Sequence, residues 1–335
     1  MYEIIAKNMW EIIIGFAIIS IIIVLLIVWL FSRLDCDLQL ILYEKFGHSV
    51  NDLNGKVCWI TGASSGIGES LAYLLATNGI KLVLSGTNHQ RLQHVKTQCV
   101  SFGQLDDKDV LIVCFDIKDH EKHQQCLEQV LAHFKRLDIL VSNAGRSQRA
   151  AFQDINISVD KEIFDINVFG LIGLARVVLK YFLEQQIKGQ FVVTSSAAGK
   201  IGAPQSSSYT GSKHALHGYF ECLRNEVQSL GMCVTVVCPG PVYSRILESL
   251  YTDRIDVKVN NETNHKNRHR METSRCAYLM AVGVANGLDE LWICRQPLLS
   301  LYYLTQYAPT ITRRLMPRLA SPERLYSVRE GVKQV

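Results

Sequence analysis

Proline is scarce, with seven in 335 residues, and the 22 glycines follow no period. Collagen-like and low-complexity chains are thereby excluded. An excess of one charge is also lacking. Thirty-five Lys and Arg stand against 31 Asp and Glu, a formal net charge of +4, which gives no argument for a nucleic-acid partner. With 48% hydrophobic residues the chain is not a disordered one. Ten cysteines occur, but no pair has the C-x-x-C spacing of a zinc or dithiol site, so no metal ligands are read from the sequence. Cys58, Cys114 and Cys238 fall in predicted buried strands, where Cys acts as a small hydrophobe.

The most telling absence is local. From Ile12 to Phe31 there is no charge, and 18 of the 20 residues are hydrophobic. As a helix this run spans about 30 Å, the thickness of the bilayer hydrocarbon. Trp10 and Trp29 flank it as interfacial aromatics do. A signal peptide would have a shorter apolar region and a small-residue cleavage site, whereas SRLDCDLQL follows here. The run is apolar all round, which argues against an amphipathic core helix. An uncleaved single-pass anchor is expected. Lys7 on one side and Arg33 and Lys45 on the other give a nearly even basic tally, so the orientation stays open. Without this run the hydrophobic share falls to about 45%, an ordinary soluble composition.

Beyond a short polar joint near 47–55, apolar strands and amphipathic helices alternate. Strands are predicted at Lys56–Thr61, Ile80–Ser85, Val110–Phe115, Asp138–Ser142, Gln190–Thr194 and Cys233–Cys238, with a seventh at Leu291–Cys294. Continuous apolar strands between helices predict an α/β fold, a doubly wound, parallel, Rossmann-type sheet of seven strands attached to an N-terminal transmembrane helix. Ligands of such a sheet gather at the carboxyl ends of its strands.

Those ends carry the polar motifs. Thr61 to Gly68 reads TGASSGIG between a strand and a helix. Gly62 permits a tight turn, and Gly66 and Gly68 remove side chains where backbone approaches a pyrophosphate and where helix packs on strand. The helix N-terminus adds amide donors and partial positive charge. Asp116 ends the third strand, where a carboxylate can accept from an adenine amino group. Asn143-Ala144-Gly145 ends the fourth and Pro239-Gly240 the sixth. Tyr209 and Lys213 stand four apart in YTGSK, on one face of a helix. A phenol, with a pKa near 10, is a poor base at neutral pH, and a neighbouring ammonium favours its phenolate. The pair therefore suits proton exchange in a carbonyl–alcohol interconversion. Ser196, at the end of the fifth strand, can hold the substrate oxygen beside the tyrosine. Asn167 lies inside a predicted helix, where Asn is locally unfavourable, and this suggests a specific role such as ordering a water.

Together these motifs resemble the short-chain dehydrogenase/reductase family over about residues 54–296, with Ser142 standing where that family usually has Asn. The resemblance implies a bound nicotinamide cofactor. It implies that Tyr209 is the general acid/base, Lys213 contacts the nicotinamide ribose and tunes the tyrosine, Ser196 orients substrate, and Asn167 serves a proton relay. It places Gly62, Ser64, Ser65, Ile67 and Gly68 along the pyrophosphate, Asp116 at adenine, Asn143 near the ribose and Ser244 near the carboxamide. HRMETSRCAYLM and the segment from Leu288 resemble a membrane-anchored subgroup linked to the endoplasmic reticulum and to NADP(H)-dependent reduction of retinoids, steroids and other lipophilic carbonyls.

The second strand ends in LVLSGTNHQRL, without the acid that binds the ribose of NAD. Thr87 and Asn88 stand where basic residues favour NADP, and Arg91 lies a helical turn later. NADP(H) is favoured, with NAD(H) as the alternative. The expected organisation is an anchor and joint at 1–46, a catalytic domain at 47–296, and a tail at 297–335 that is either membrane-interfacial or packed on the domain or on a dimer partner. The expected partners are a lipophilic small molecule, the membrane and a second copy of the chain, with no nucleic acid. Retinol or steroid oxidation with NAD, and a non-catalytic membrane-tethered scaffold, are the competing functions.

Overall fold

The computed structural model describes residues 2–244, 246, 250–256 and 270–319. The chain begins with α1 (Tyr2–Ser32) and α2 (Leu38–Phe46). β1 (Val57–Thr61), α3 (Gly66–Ala76), β2 (Lys81–Gly86), α4 (His89–Gly103), β3 (Val110–Cys114), α5 (Lys122–Phe134) and β4 (Ile139–Ser142) follow. Next come α6 (Ile157–Phe164), a π-helical turn (Asp165–Phe169), α7 (Gly170–Glu184), β5 (Gln190–Thr194), α8 (Ser207–Val227) and β6 (Cys233–Pro239). α9 (Thr273–Ala285), β7 (Glu290–Ile293), α10 (Leu298–Tyr307) and α11 (Pro309–Leu319) complete it.

The seven strands form one sheet in the order β3-β2-β1-β4-β5-β6-β7, every pair parallel. The strand order reverses between β1 and β4, so a crevice opens there at the carboxyl ends. Both faces are covered, and β1 is buried along its whole length, which is why VCWIT reads as a run and does not alternate. Gly79 closes the α3 region with φ +73°, as its position in the sequence suggests.

Among the described residues, two stretches are long and apolar enough to cross a membrane. Ile12–Ser32 has mean hydropathy 3.3 and none of it is buried in the protein. Ile157–Glu184 has mean hydropathy 1.7 and is 56% buried, as expected of core helices. α1 therefore stands as a candidate transmembrane span, and α6–α7 belong to the core.

Residues 34–46 dock on the domain, with Cys36 and Leu40 fully buried. Asp37 caps α2 by accepting from Leu40 N at 2.8 Å, and also accepts from Trp292 N at 2.8 Å. Its own N–H donates to Trp292 O at 2.9 Å, so this segment covers the edge of β7. Arg275 of α9 binds Asp35 at 2.9 and 3.0 Å and also pairs with Glu44. The tail likewise begins by packing on the domain. Leu299 and Tyr302 are buried, and Tyr302 stacks on Trp292 with ring centroids 5.5 Å apart.

Candidate active site

The crevice holds a cavity of about 1080 Å³. Its first half is built on β1 and β4. Gly62 turns with φ +66°, and a Cβ there would lie 2.8 Å from Ala144 Cα. Gly68 has an ordinary φ, but a Cβ would meet Gly62 O at 2.5 Å and Asn143 Nδ2 at 2.7 Å. Only glycine lets α3 approach the turn this closely, and the start of the helix, at Gly66 and Ile67, lines the cavity. Gly66 has φ +64°, and Ser244, from the loop after β6, lies across it. This glycine cradle fits the pyrophosphate of a dinucleotide.

Asn143 pins the cradle. Its amide donates to Thr61 O at 3.2 Å, and its Oδ1 accepts from Thr194 Oγ1 at 3.1 Å. Thr61 Oγ1 accepts from Asn143 N at 3.0 Å and Ala144 N at 3.1 Å and donates to Val141 O at 3.2 Å. Three strand ends are thus tied together by the side chains of Thr61, Asn143 and Thr194. The side chain expected near the ribose is engaged in this clamp, although Asn143 still lines the cavity. Asp116 lines the cavity as an exposed carboxylate and accepts from Lys118 N at 3.0 Å. Arg91 also lines it, while Asn88 accepts from Arg91 N at 3.0 Å as the cap of α4.

The second half is built on β5, α8 and β6. Tyr209 and Lys213 lie one turn apart on α8, with Lys213 Nζ 5.7 Å from the phenol ring centroid. Lys213 is buried, donates to Thr194 O at 2.7 Å, and has its pKa lowered from 10.5 to about 8 by burial. Ser196 accepts from Ala198 N at 3.2 Å, which leaves its own O–H to donate to another oxygen. Beneath them His217 contacts Ser195 Oγ at 3.1 Å, and burial lowers its pKa to about 4, so the ring is neutral at pH 7.

Asn167 is fully buried in the π-helical turn and does not line the cavity. Its Oδ1 accepts from Arg146 N at 2.8 Å, and its Nδ2 donates to Arg146 O at 2.9 Å and Ser212 Oγ at 2.9 Å. Ser212 in turn donates to Tyr209 O at 2.7 Å. The side chain therefore braces the loop after β4 against the turn of α8 that carries Tyr209 and Lys213. π-turns are often found at functional positions of this kind.

The residues expected from the sequence thus converge. Gly62, Ser64, Ser65, Ile67, Asp116, Asn143, Ser196, Tyr209, Lys213 and Ser244 line one cavity, while Gly68 and Asn167 support it from behind. Thr61, Thr194 and Ser212 were missed as supports, although for Thr61 and Thr194 a polar residue ending an apolar strand is a usable signal. The apolar wall from α10, with Leu298, Leu301 and Leu304, was also missed. In the loop after Gly240, Lys258, Lys266 and Arg268 lie outside the described residues. Arg254 pairs with Asp256 at 2.7 Å, and Arg270 is buried in the cavity wall.

The family model for short chain dehydrogenases matches residues 56–255. The chain belongs to that family, and it is a nicotinamide-dependent oxidoreductase. It is similar to dehydrogenase/reductase SDR family member 7 of Homo sapiens, with 40% identity over 304 residues, covering 90% of this chain and 89% of that one. Identity to the protein of the same name from Mus musculus is 40% over 282 residues, covering 84% and 82%. Among solved structures, a short chain dehydrogenase/reductase from Burkholderia phymatum in complex with NAD superposes with TM-score 0.67 at 23% identity, covering 77% of this chain and 95% of that one. That likeness concerns the fold.

Proposed function

We propose that the protein is a membrane-anchored oxidoreductase of the endoplasmic reticulum that interconverts a lipophilic carbonyl and its alcohol with NADP(H). The observation that carries the reading is the placement of Tyr209 and Lys213 in the same cavity as the glycine cradle. When bound, the nicotinamide supplies or accepts the hydride at the carbonyl carbon. Gly62, Ser64, Ser65 and Ile67 hold the pyrophosphate against the N-terminus of α3. Asp116 would hold adenine, and Ser244, lying over the turn, would hold the carboxamide. Lys213 would hold the ribose and, as an ammonium, makes the Tyr209 phenol a better acid/base. Tyr209 gives its proton to the carbonyl oxygen in reduction and takes it back in oxidation, while the Ser196 hydroxyl holds that oxygen. Asn167 keeps the turn of α8 in register for this step.

Two features support the finer reading. Arg91 reaches the cavity beside a β2 end that has no acid, which suits a 2′-phosphate. Leu298, Leu301, Leu304 and Met316 give the far wall an apolar face, which suits a lipophilic substrate. The test is Tyr209→Phe assayed on a panel of carbonyls and alcohols with NADPH and NADH. Activity should fall by roughly 10²–10⁴-fold with cofactor affinity unchanged. Undiminished turnover by the phenylalanine variant would overturn the assignment, and a large kcat/KM advantage for NADH would overturn the cofactor preference.

A further inference from the structure

The helices around the foot of α1 leave an apolar surface exposed. On α2, Leu38, Leu42 and Phe46 are 51%, 58% and 82% exposed. At spacing i, i+4, i+8 they form one stripe, while Leu40 on the other side is buried. The corner between α10 and α11 exposes Tyr307 and Ile311. These two patches are neighbours, because Leu38 N donates to Tyr303 Oη on α10 at 2.9 Å. Both adjoin the end of α1. Phe31 packs on Tyr303 with ring centroids 5.7 Å apart, and Gln296, just before α10, donates to Phe31 O at 3.1 Å.

The surrounding charges are basic at the outer edge. Arg313 and Arg314 are exposed on α11, and residues 298–319 contain no acid. Arg33 lies over Trp29, 5.2 Å from its ring centroid, at the base of α1. The nearby acids Asp35 and Glu44 are turned inward onto Arg275. An apolar stripe bordered by Arg, continuous with a helix that itself suits the bilayer, matches an interfacial surface more closely than a water-exposed one.

We infer that α2 and the α10–α11 corner form a collar that sinks into the bilayer interface around α1, so that the α10 wall of the cavity lies against the membrane. The collar's occupant is the same lipid leaflet that receives the foot of α1, and the inference rests on reading α1 as the anchor. One helix, about 10 Å across, then separates the lipid from the cavity. α10 faces the collar through Tyr303 and the cavity through Leu298, Leu301 and Leu304. A substrate dissolved in the membrane would reach the site from that side.

The test uses the full chain in vesicles of phosphatidylcholine with one-fifth phosphatidylserine. A photo-crosslinking benzophenone residue is placed at position 22, 42, 46 or 311. Position 102 serves as control, since Phe102 is exposed on α4, which joins β2 to β3 at the end of the sheet away from β7. Lipid adducts are expected at 22, 42, 46 and 311 and none at 102. Adducts at 22 without adducts at 42, 46 or 311 would overturn the collar and leave the anchor standing. Adducts between two copies of the chain at 42 and 46 would assign the stripe to a dimer and overturn the collar equally. Absence of adducts at 22 would remove the anchor and the collar together. As a second readout, Leu42→Glu with Phe46→Glu should raise the KM for a membrane-partitioned ketone about tenfold while leaving a water-soluble carbonyl unaffected. An equal change for both substrates would count against the collar.

Discussion

The two halves of the crevice are made differently. At β1–β4 the surface is shaped by backbone, with glycines at 62, 66 and 68 and a clamp of Thr61 and Asn143. At β5–β7 and α10 it is shaped by side chains, namely Ser196, Tyr209, Lys213 and a wall of leucines. A backbone-shaped site tolerates few residue types, because any Cβ at Gly68 meets a carbonyl. A side-chain wall accepts many apolar residues of suitable size. The first half therefore has a narrow shape set by backbone, and the second presents three polar groups beside an apolar wall.

Lys213→Met should break the comparison most strongly, because it removes function while adding stability. The loss in kcat/KM is expected to be about 10³-fold. The folded pKa of about 8 lies below the ordinary 10.5, so the folded state penalises the ammonium. The penalty is fully present below pH 8 and fades as pH rises toward 10.5. At pH 7 the methionine variant without cofactor should gain up to ~3 kcal/mol, less the lost bond to Thr194 O, and the gap should close near pH 10.5. Chemical denaturation at the two pH values reads this directly, and a variant less stable at pH 7 would contradict the burial argument.

Gly68→Val tests the backbone half. The added side chain presses on Gly62 O, so cofactor affinity measured by titration should weaken by about 10–100-fold, with stability lower by about 1–3 kcal/mol. Normal cofactor binding would mean that the cradle is not where the dinucleotide lies. Asn167→Ala sits between the halves. It leaves the Arg146 amide without its acceptor, at a cost of about 1–3 kcal/mol. Its kcat should fall with little change in cofactor affinity, since the brace acts on α8 and not on the cradle. Arg91→Ala should have the smallest effect, lowering the preference for NADPH over NADH by about tenfold. An unchanged ratio would remove Arg91 from the cofactor site.

The same contrast explains how much could be read from the sequence. Each of the seven strands lies within a residue or so of its expected position, because short apolar runs bounded by polar or turn-forming residues admit few other structures. TGASSGIG and YTGSK stand out in the sequence because their spacing is local, and residues of both line the cavity. Asn143 and Asn167 were identified but their bonding was not. Their partners, Thr194, Arg146 and Ser212, lie 51, 21 and 45 residues away. The docking of residues 34–46 was hidden for the same reason, since Asp35 and Asp37 find Arg275 and Trp292 only in the folded chain. The α10 wall was hidden because an apolar helix reads alike whether it faces lipid, a partner or a cavity.

The central claim is that a hydride passes between nicotinamide and carbonyl carbon while Tyr209 moves the proton. It is tested most directly with NADPH deuterated at the transferred C4 position and a lipophilic ketone, comparing the full chain with Tyr209→Phe. Deuterium is expected on the carbinol carbon of the product, with near-complete loss of that product in the variant. Product without deuterium, or a variant that keeps pace with the native chain, would contradict it.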